Sequence, residues 1–269
     1  MLLAASPQEI HSTVIRAEDL WCGYPGRPVL KGVSVEVRHG EFVGVLGPNG
    51  SGKTTLLMAL SGIVPLQQGR LEVLGTALKD LRPRERARRM AAVVQSAEAR
   101  FPFSCEEVVR MGRYPHQKRW QLDSALDSAM VEKSLELTDT EELAERLITA
   151  TSGGEKQRVL MAKAFAQDTP ILLLDEATSA MDVHRKLQIF QVLNQLNHDN
   201  MLTILAVMHD VNLAAFFCRR LIFLKDGRVV ADGPTDSVLT SETLEEVYQA
   251  RSRVLEIPET GKKQVVFLP

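Results

Sequence analysis

Between Phe42 and Leu60 the chain carries three short signals in a fixed order. An apolar run, Phe42-Val43-Gly44-Val45-Leu46, leads into Gly47-Pro48-Asn49-Gly50-Ser51-Gly52-Lys53-Thr54, and Thr55-Leu56-Leu57-Met58-Ala59-Leu60 follows with helix-forming residues. Few arrangements accept a strand, a glycine loop and a helix in immediate succession. The loop spells G-x-x-x-x-G-K-T, whose glycines let consecutive backbone N–H groups turn inward onto phosphate oxygens. The helix that follows adds the positive end of its dipole at the same point. In this reading residues Gly47 to Thr55 cradle a nucleoside triphosphate. Lys53 extends to the β- and γ-phosphates, and the Thr54 hydroxyl ligates Mg²⁺.

The rest of the chain suits that reading. Its 269 residues can bury a full core as one large domain or two joined lobes. A formal net charge of −2 argues against a dedicated nucleic-acid binder. Cys22, Cys105 and Cys218 show neither paired nor metal-ligand spacing and read as free thiols of a reducing compartment. No apolar stretch has the length of a membrane span. The first residues, Met1-Leu2-Leu3-Ala4-Ala5-Ser6-Pro7, lack the basic flank of a secretory signal. The expectation is a protein of the cytoplasm that meets a membrane only through partners.

Val14–Asp19 and Val33–Val37 read as strands around a Gly/Pro turn at residues 23–26, and Leu71–Leu74 and Ala91–Val94 as further strands. The basic stretch from Arg82 to Arg89 reads as a solvated helix face, because Glu85 and Ala87 interrupt it. From about Ser96 to Lys163 apolar residues recur at helical spacing, as in Leu122, Leu126, Ala129 and Met130, which suggests a helical lobe inserted into an α/β core. The core resumes with Ile171–Leu174, a helix from Val183 to Leu196 and a strand over Leu202–Val207. A hairpin around Asp226-Gly227, a last helix over Ser241–Tyr248 and a strand-like Val265–Leu268 complete the chain.

Ile171-Leu172-Leu173-Leu174-Asp175-Glu176 is an apolar strand ending in two carboxylates. Beside a phosphate loop, a strand of this kind delivers an Asp to Mg²⁺, a role that Asp175 fits. Glu176, one residue on, can face the γ-phosphate and deprotonate a water. Thr151-Ser152-Gly153-Gly154-Glu155-Lys156-Gln157-Arg158 opens a helix with a hydroxyl and two glycines, which suits a second anion site. The same residues also suit an ordinary N-cap, with Ser152 and Glu155 forming a capping box.

Ser-Gly-Gly-Glu followed by Lys-Gln-Arg, set before the Asp-Glu strand and after the glycine loop, resembles the signature motif of the ABC ATPases. That resemblance runs from about Val14 to Gly233. It implies that Tyr24 stacks on adenine, that Gln95 senses Mg²⁺ and couples to a transmembrane partner, and that His209 contacts the γ-phosphate. Ser179-Ala180-Met181-Asp182 is similar to the family's loop that crosses between subunits, so Asp182 joins the nucleotide contacts with Ser152, Gly153, Gly154 and Glu155. Thr151 and Met181 depart from the family pattern, which has Leu at both places.

The implied fold class is α/β: a P-loop nucleotidase core with an antiparallel β subdomain and an inserted α-helical subdomain, all within one ATPase domain. The core spans about 10–95 and 164–269, and the helical subdomain about 96–163. Phe101-Pro102-Phe103-Ser104 and Val108 to His116 are similar to ATPases of importers for iron–siderophore complexes, haem and cobalamin. From the residues themselves that segment is a candidate docking surface or ordinary core. The implied function is the ATP-hydrolysing subunit of an importer for a metal chelate or corrinoid, with ATP and Mg²⁺ as cofactors, at the cytoplasmic face of the cell membrane. The implied partners are a second copy of the chain, across which ATP is sandwiched, a permease dimer and, indirectly, a solute-binding protein. Importers for an oxyanion or a metal ion are the alternative within transport. A soluble ABC ATPase acting on ribosomes or DNA and a P-loop kinase or GTPase are the alternatives outside it. Such soluble ATPases usually carry tandem ATPase domains or long coiled-coil insertions, and these 269 residues show neither, nor a guanine-reading Asn-Lys-x-Asp string.

Overall fold

Val33 to Arg38 alternates apolar and polar residues and lies in an antiparallel sheet, whereas Phe42–Leu46 and Ile171–Leu174 are apolar throughout and pair in parallel. The computed structural model describes residues 12–24, 26–94, 102–117 and 124–269. Gln95, Phe101 and Leu122 therefore lie outside the described residues. The chain opens with β1 (Thr13–Tyr24), β2 (Arg27–Arg38), β3 (Phe42–Leu46), α1 (Lys53–Leu60), β4 (Gln68–Val73) and β5 (Thr76–Ala77). It continues through α2 (Pro83–Arg89), β6 (Met90–Val93), α3 (Cys105–Arg110), α4 (Ala125–Leu137), α5 (Gly153–Ala166), β7 (Ile171–Asp175) and α6 (Val183–Asn200). Then come β8 (Thr203–Val207), α7 (Val211–Phe217), β9 (Arg220–Lys225), β10 (Arg228–Pro234), α8 (Thr235–Val238), α9 (Ser241–Tyr248), β11 (Ser252–Ile257) and β12 (Lys262–Phe267). The chain divides into two compact units, Met1–Asp80 with Asn197–Pro269, and Leu81–Leu196.

In the first unit β2, β1, β4 and β5 form an antiparallel sheet in that order. Val33, Val35 and Val37 of β2 are buried while Ser34, Glu36 and Arg38 between them are exposed, the period-two pattern of a strand with one wet face. The same unit holds β10, β9, β3 and β8, with β9 and β8 parallel to β3 on either side and β10 antiparallel to β9. Every residue of β3 and of β8 is buried, as strands covered on both faces require. Asp226 (φ 50°) and Gly227 (φ 78°) make the two-residue turn between β9 and β10, and paired positive φ values match the twist of the flanking strands.

The second unit contains the parallel pair β6–β7 and four helices with the start of α6. Helix α5 packs against α3 and α4 around Val108, Val109, Val131, Leu135, Val159 and Ala162. Ser104 caps α3 and Ser124 caps α4, each as a capping box with the residue three positions on. Arg113 is buried and ties three segments together: its Nε donates to Asp127 Oδ1 at 2.9 Å and its Nη1 to the Ala166 carbonyl at 2.7 Å. Burial pushes the Asp127 carboxyl up, but hydrogen bonds from Ser124 and Arg113 outweigh it and hold the group at about 2.

Most sequence expectations fall inside the observed elements, with the strands at Val14–Asp19 and Val33–Val37 extended and the helix from Val183 continued to Asn200. The basic stretch is α2, and none of its residues is buried. The strand β11 was not anticipated. All three cysteines are buried and free, and among the described residues no helix is long and apolar enough to cross a membrane.

Candidate nucleotide site

In the first unit β3 ends at Leu46 and the chain turns sharply through Gly47–Gly52 into α1. Gly47 has φ 149°, and a Cβ there would sit 2.0 Å from the Leu224 carbonyl oxygen. Gly52, at φ 103°, is the residue before the helix, and a Cβ on it would meet Leu30 Cδ2 at 2.9 Å. No side chain caps α1 and no acidic residue sits in its first turn. The positive end of the helix is left for an anion.

Lys53 is buried, and its Nζ donates to the carbonyls of Gly47 (2.8 Å) and Pro48 (3.0 Å), so the ammonium is folded into the loop. Ser51 Oγ is buried without a hydrogen-bond partner. A buried cation, an orphaned hydroxyl and an uncapped helix start fit an anionic ligand better than a structural turn. Asn49 and Gly50 are exposed at the loop tip, and Thr54 and Thr55 are half-buried on α1.

Two contacts from late in the chain brace this loop. The Gly227 N–H donates to the Ser51 carbonyl at 3.0 Å. The Gly47 N–H donates to the Tyr248 hydroxyl at 3.1 Å. Sequence reasoning placed Tyr248 in the last helix but gave it no role. Tyr24 ends β1, paired with Arg27 across the turn. His209 follows β8 and is exposed, while the adjacent Asp210 caps α7 by accepting from the Leu213 N–H at 2.9 Å.

In the second unit Asp175 is the buried last residue of β7. Glu176 then takes φ 49°, a left-handed conformation that is strained for a residue with a side chain and that turns the chain off the strand axis. Ser152 caps α5, with its Oγ accepting from the Glu155 N–H (3.3 Å) and the Glu155 carboxylate accepting from the Ser152 N–H (2.7 Å). That backbone bond, with the Ser152 hydroxyl, holds the Glu155 carboxyl below the usual range. The capping box is therefore formed, and Ser152 and Gly153 are exposed beside it. Gly154 packs close to the next loop, where a Cβ would stand 3.2 Å from the Ala180 carbonyl oxygen.

Gln157, which sequence reasoning quoted only as part of the motif, holds that loop with both ends of its amide. Its Nε2 donates to Ser179 Oγ at 3.1 Å and its Oε1 accepts from the Ala180 N–H at 3.0 Å. Asp182 closes the loop by accepting from the Arg185 N–H at 2.9 Å, which holds its carboxyl below the usual range. Asp139 joins Arg158 of α5 to Arg185 of α6. The two departures from the family pattern have local explanations. Thr151 donates its hydroxyl to the Ile148 carbonyl at 2.7 Å, and Met181 is buried where Leu would pack.

Thus Tyr24, Gly47–Thr55 and His209 belong to one unit, and Ser152–Glu155, Asp175, Glu176 and Asp182 to the other. In the segment read as either docking surface or core, Val108, Val109 and Arg113 are buried, whereas Phe103 and Tyr114 are 41% and 61% exposed.

The family model for ABC transporters matches residues 30–179. The chain belongs to the ABC transporter family. The match contains the phosphate loop, Ser152–Glu155, Asp175 and Glu176, while Tyr24, Asp182, His209 and Tyr248 lie outside it. The cobalamin import ATP-binding protein BtuD of Halobacterium salinarum is 40% identical to this ABC chain over 244 residues, covering 91% of this chain and 61% of the relative. The chain spans 58–61% of the length of the first curated relatives it matches. Among solved structures, an inward-facing ABC transporter described as of metal-chelate type aligns with a TM-score of 0.81 at 26% identity, covering 96% of this chain and 98% of that one. A dimeric ATP-binding cassette in a post-hydrolysis state with ADP and Pi aligns with a TM-score of 0.75 at 28% identity, covering 82% and 98%.

Proposed function

We propose that this ABC chain is the ATP-hydrolysing subunit of an importer, driving a metal chelate or corrinoid such as an iron–siderophore complex, haem or cobalamin through a membrane permease from its cytoplasmic face. The observation that carries the reading is the phosphate loop, where a buried Lys53 and an unpartnered Ser51 hydroxyl sit at an uncapped helix start. Likeness to a cobalamin-import ATP-binding protein and to a transporter of metal-chelate type supports the solute class.

Each residue has a role in that reading. Backbone N–H groups of Gly50–Thr55 and the Lys53 ammonium bind the β- and γ-phosphates, and Tyr24 stacks on the base. Thr54, Gln95 and Asp175 would hold Mg²⁺, which when bound neutralises charge on the phosphate oxygens. Glu176 takes the proton from a water whose oxygen attacks the γ-phosphorus, as ADP departs with the bridging oxygen. His209 steadies the γ-phosphate. Ser152, Gly153 and Gly154, with Asp182, serve the nucleotide of a second copy, so ATP joins two identical chains and its hydrolysis releases them. A dimeric cassette with ADP and Pi supports this arrangement.

The test is complementation between two damaged chains. Ser152→Asp keeps the cap, because Asp caps as well as Ser, but sets a negative charge toward the partner's triphosphate. Lys53→Ala weakens phosphate binding in its own chain. Each variant alone should be inactive, whereas their mixture should form dimers with one intact composite site and recover single-turnover hydrolysis. No recovery in proven heterodimers would overturn the shared site.

A further inference from the structure

The family match ends at residue 179, yet the phosphate loop is braced by residues well past it. One of those contacts, from Gly227, is backbone to backbone, made at a glycine where a Cβ would stand 1.8 Å from the Val29 carbonyl oxygen. The other depends on a single hydroxyl. The Gly47 N–H donates to Tyr248 Oη at 3.1 Å, and Gly47 is the position where the loop has least room, against the Leu224 carbonyl.

Tyr248 is firmly held on its own side. It ends α9, which Thr240 caps and whose Leu244 and Val247 are buried. Lys225, at the end of β9, donates its Nζ to the Glu246 carbonyl at 2.6 Å. Phe267 of β12 stands edge-on to the Tyr248 ring at a centroid distance of 5.9 Å. Burial pushes the phenol up to about 12, so it stays protonated and neutral.

We propose that Tyr248 is a positioning residue for the phosphate loop, and that the C-terminal helix and hairpin set nucleotide affinity through its hydroxyl. The proposal rests on the reading of residues 47–54 as the triphosphate site. Without the hydroxyl the buried Gly47 N–H has lost its partner, and the free loop relaxes to find another. The relaxed conformer does not bind, so the apparent affinity falls by the fraction of competent loop. A net buried hydrogen bond corresponds to about a fivefold loss. Once ATP is bound, ground and transition states share the deficit, so turnover at saturation is unchanged.

The experiment uses the full-length chain as wild type, Tyr248→Phe, Phe267→Ala and Lys53→Ala. A fluorescent ATP analogue with Mg²⁺ is titrated for Kd, kcat and KM are measured for ATP, and Tm is recorded. Tyr248→Phe should raise Kd and KM about fivefold with kcat within about twofold of wild type. Phe267→Ala, which keeps the hydroxyl but frees the ring, should give a smaller rise of about twofold. An unchanged Kd for Tyr248→Phe while Lys53→Ala weakens binding would overturn the proposal, even if Tm falls, because the hydroxyl would then serve folding alone. An unchanged Kd for Lys53→Ala would overturn the phosphate-loop reading beneath it.

Discussion

Gly47 and Gly50 share a loop and a positive φ, and they differ in the space around them, so alanine at each separates backbone strain from steric exclusion. At Gly50 (φ 79°) a Cβ meets nothing within 4 Å. The substitution there costs only the left-handed conformation, about 1–2 kcal/mol, which lowers ATP affinity by at most about thirtyfold if the free loop relaxes fully. At Gly47 (φ 149°) a Cβ would lie 2.0 Å from the Leu224 oxygen, 2.9 Å from Ser51 Oγ and 3.1 Å from the Leu224 carbon. Two of those three atoms are backbone of a buried strand, so the loop has to move by about 1 Å. A displacement of about 1 Å in a reacting group is worth on the order of 10² in rate. We expect Gly47→Ala to lose about 10² or more in single-turnover ATP hydrolysis and Gly50→Ala to stay within about thirtyfold of wild type, with its loss confined to ATP affinity. Circular dichroism would confirm that both are folded. Equal losses would refute the reasoning, because strain alone would then account for both.

Glu176→Gln keeps the side chain's shape but cannot take a proton, so turnover should fall on the order of 10² to 10⁴ while ATP still binds and dimers accumulate. Near-normal single-turnover hydrolysis would remove Glu176 from the role of base. Asp127 sits at about 2 in the folded chain against an ordinary 3.8, so it stabilises the fold above about pH 4, and that stabilisation is lost as pH falls through about 2. Asp127→Asn should lower unfolding free energy at pH 7 by about 2–4 kcal/mol, since it also strands the buried Arg113. In denaturant titrations the gap to wild type should narrow between pH 4 and pH 2, and a gap that is constant with pH would count against the pairing.

What the sequence made legible was local. The glycine loop announces itself because strand, turn and helix are neighbours in the chain, and the Asp226-Gly227 hairpin because two residues suffice to define it. The capping box at Ser152 is written in a spacing of three. The contacts that sequence reasoning missed join distant residues. Gln157 holds Ser179 and Ala180 from another element, and nothing in its neighbours signals that. Tyr248 needs the tail to fold back onto the loop before its hydroxyl has a purpose. The strand β11 escaped notice because Arg253 and Glu256 break any alternation, and among the described residues it pairs only with β12.

The hydrogen bond from Gly47 to Tyr248 spans 201 positions of sequence. A ribosome adding about 5–20 residues per second therefore leaves an interval of at least about ten seconds between making the first glycine of the loop and making the residue that braces it. Throughout that interval the loop lacks the Tyr248 contact, and until Gly227 is made it lacks the second brace as well. Closure across so long a separation also slows folding relative to chains of local contacts. The roughly fivefold tightening of nucleotide affinity that the Tyr248 hydroxyl supplies is thus added late, well after the loop itself has been made.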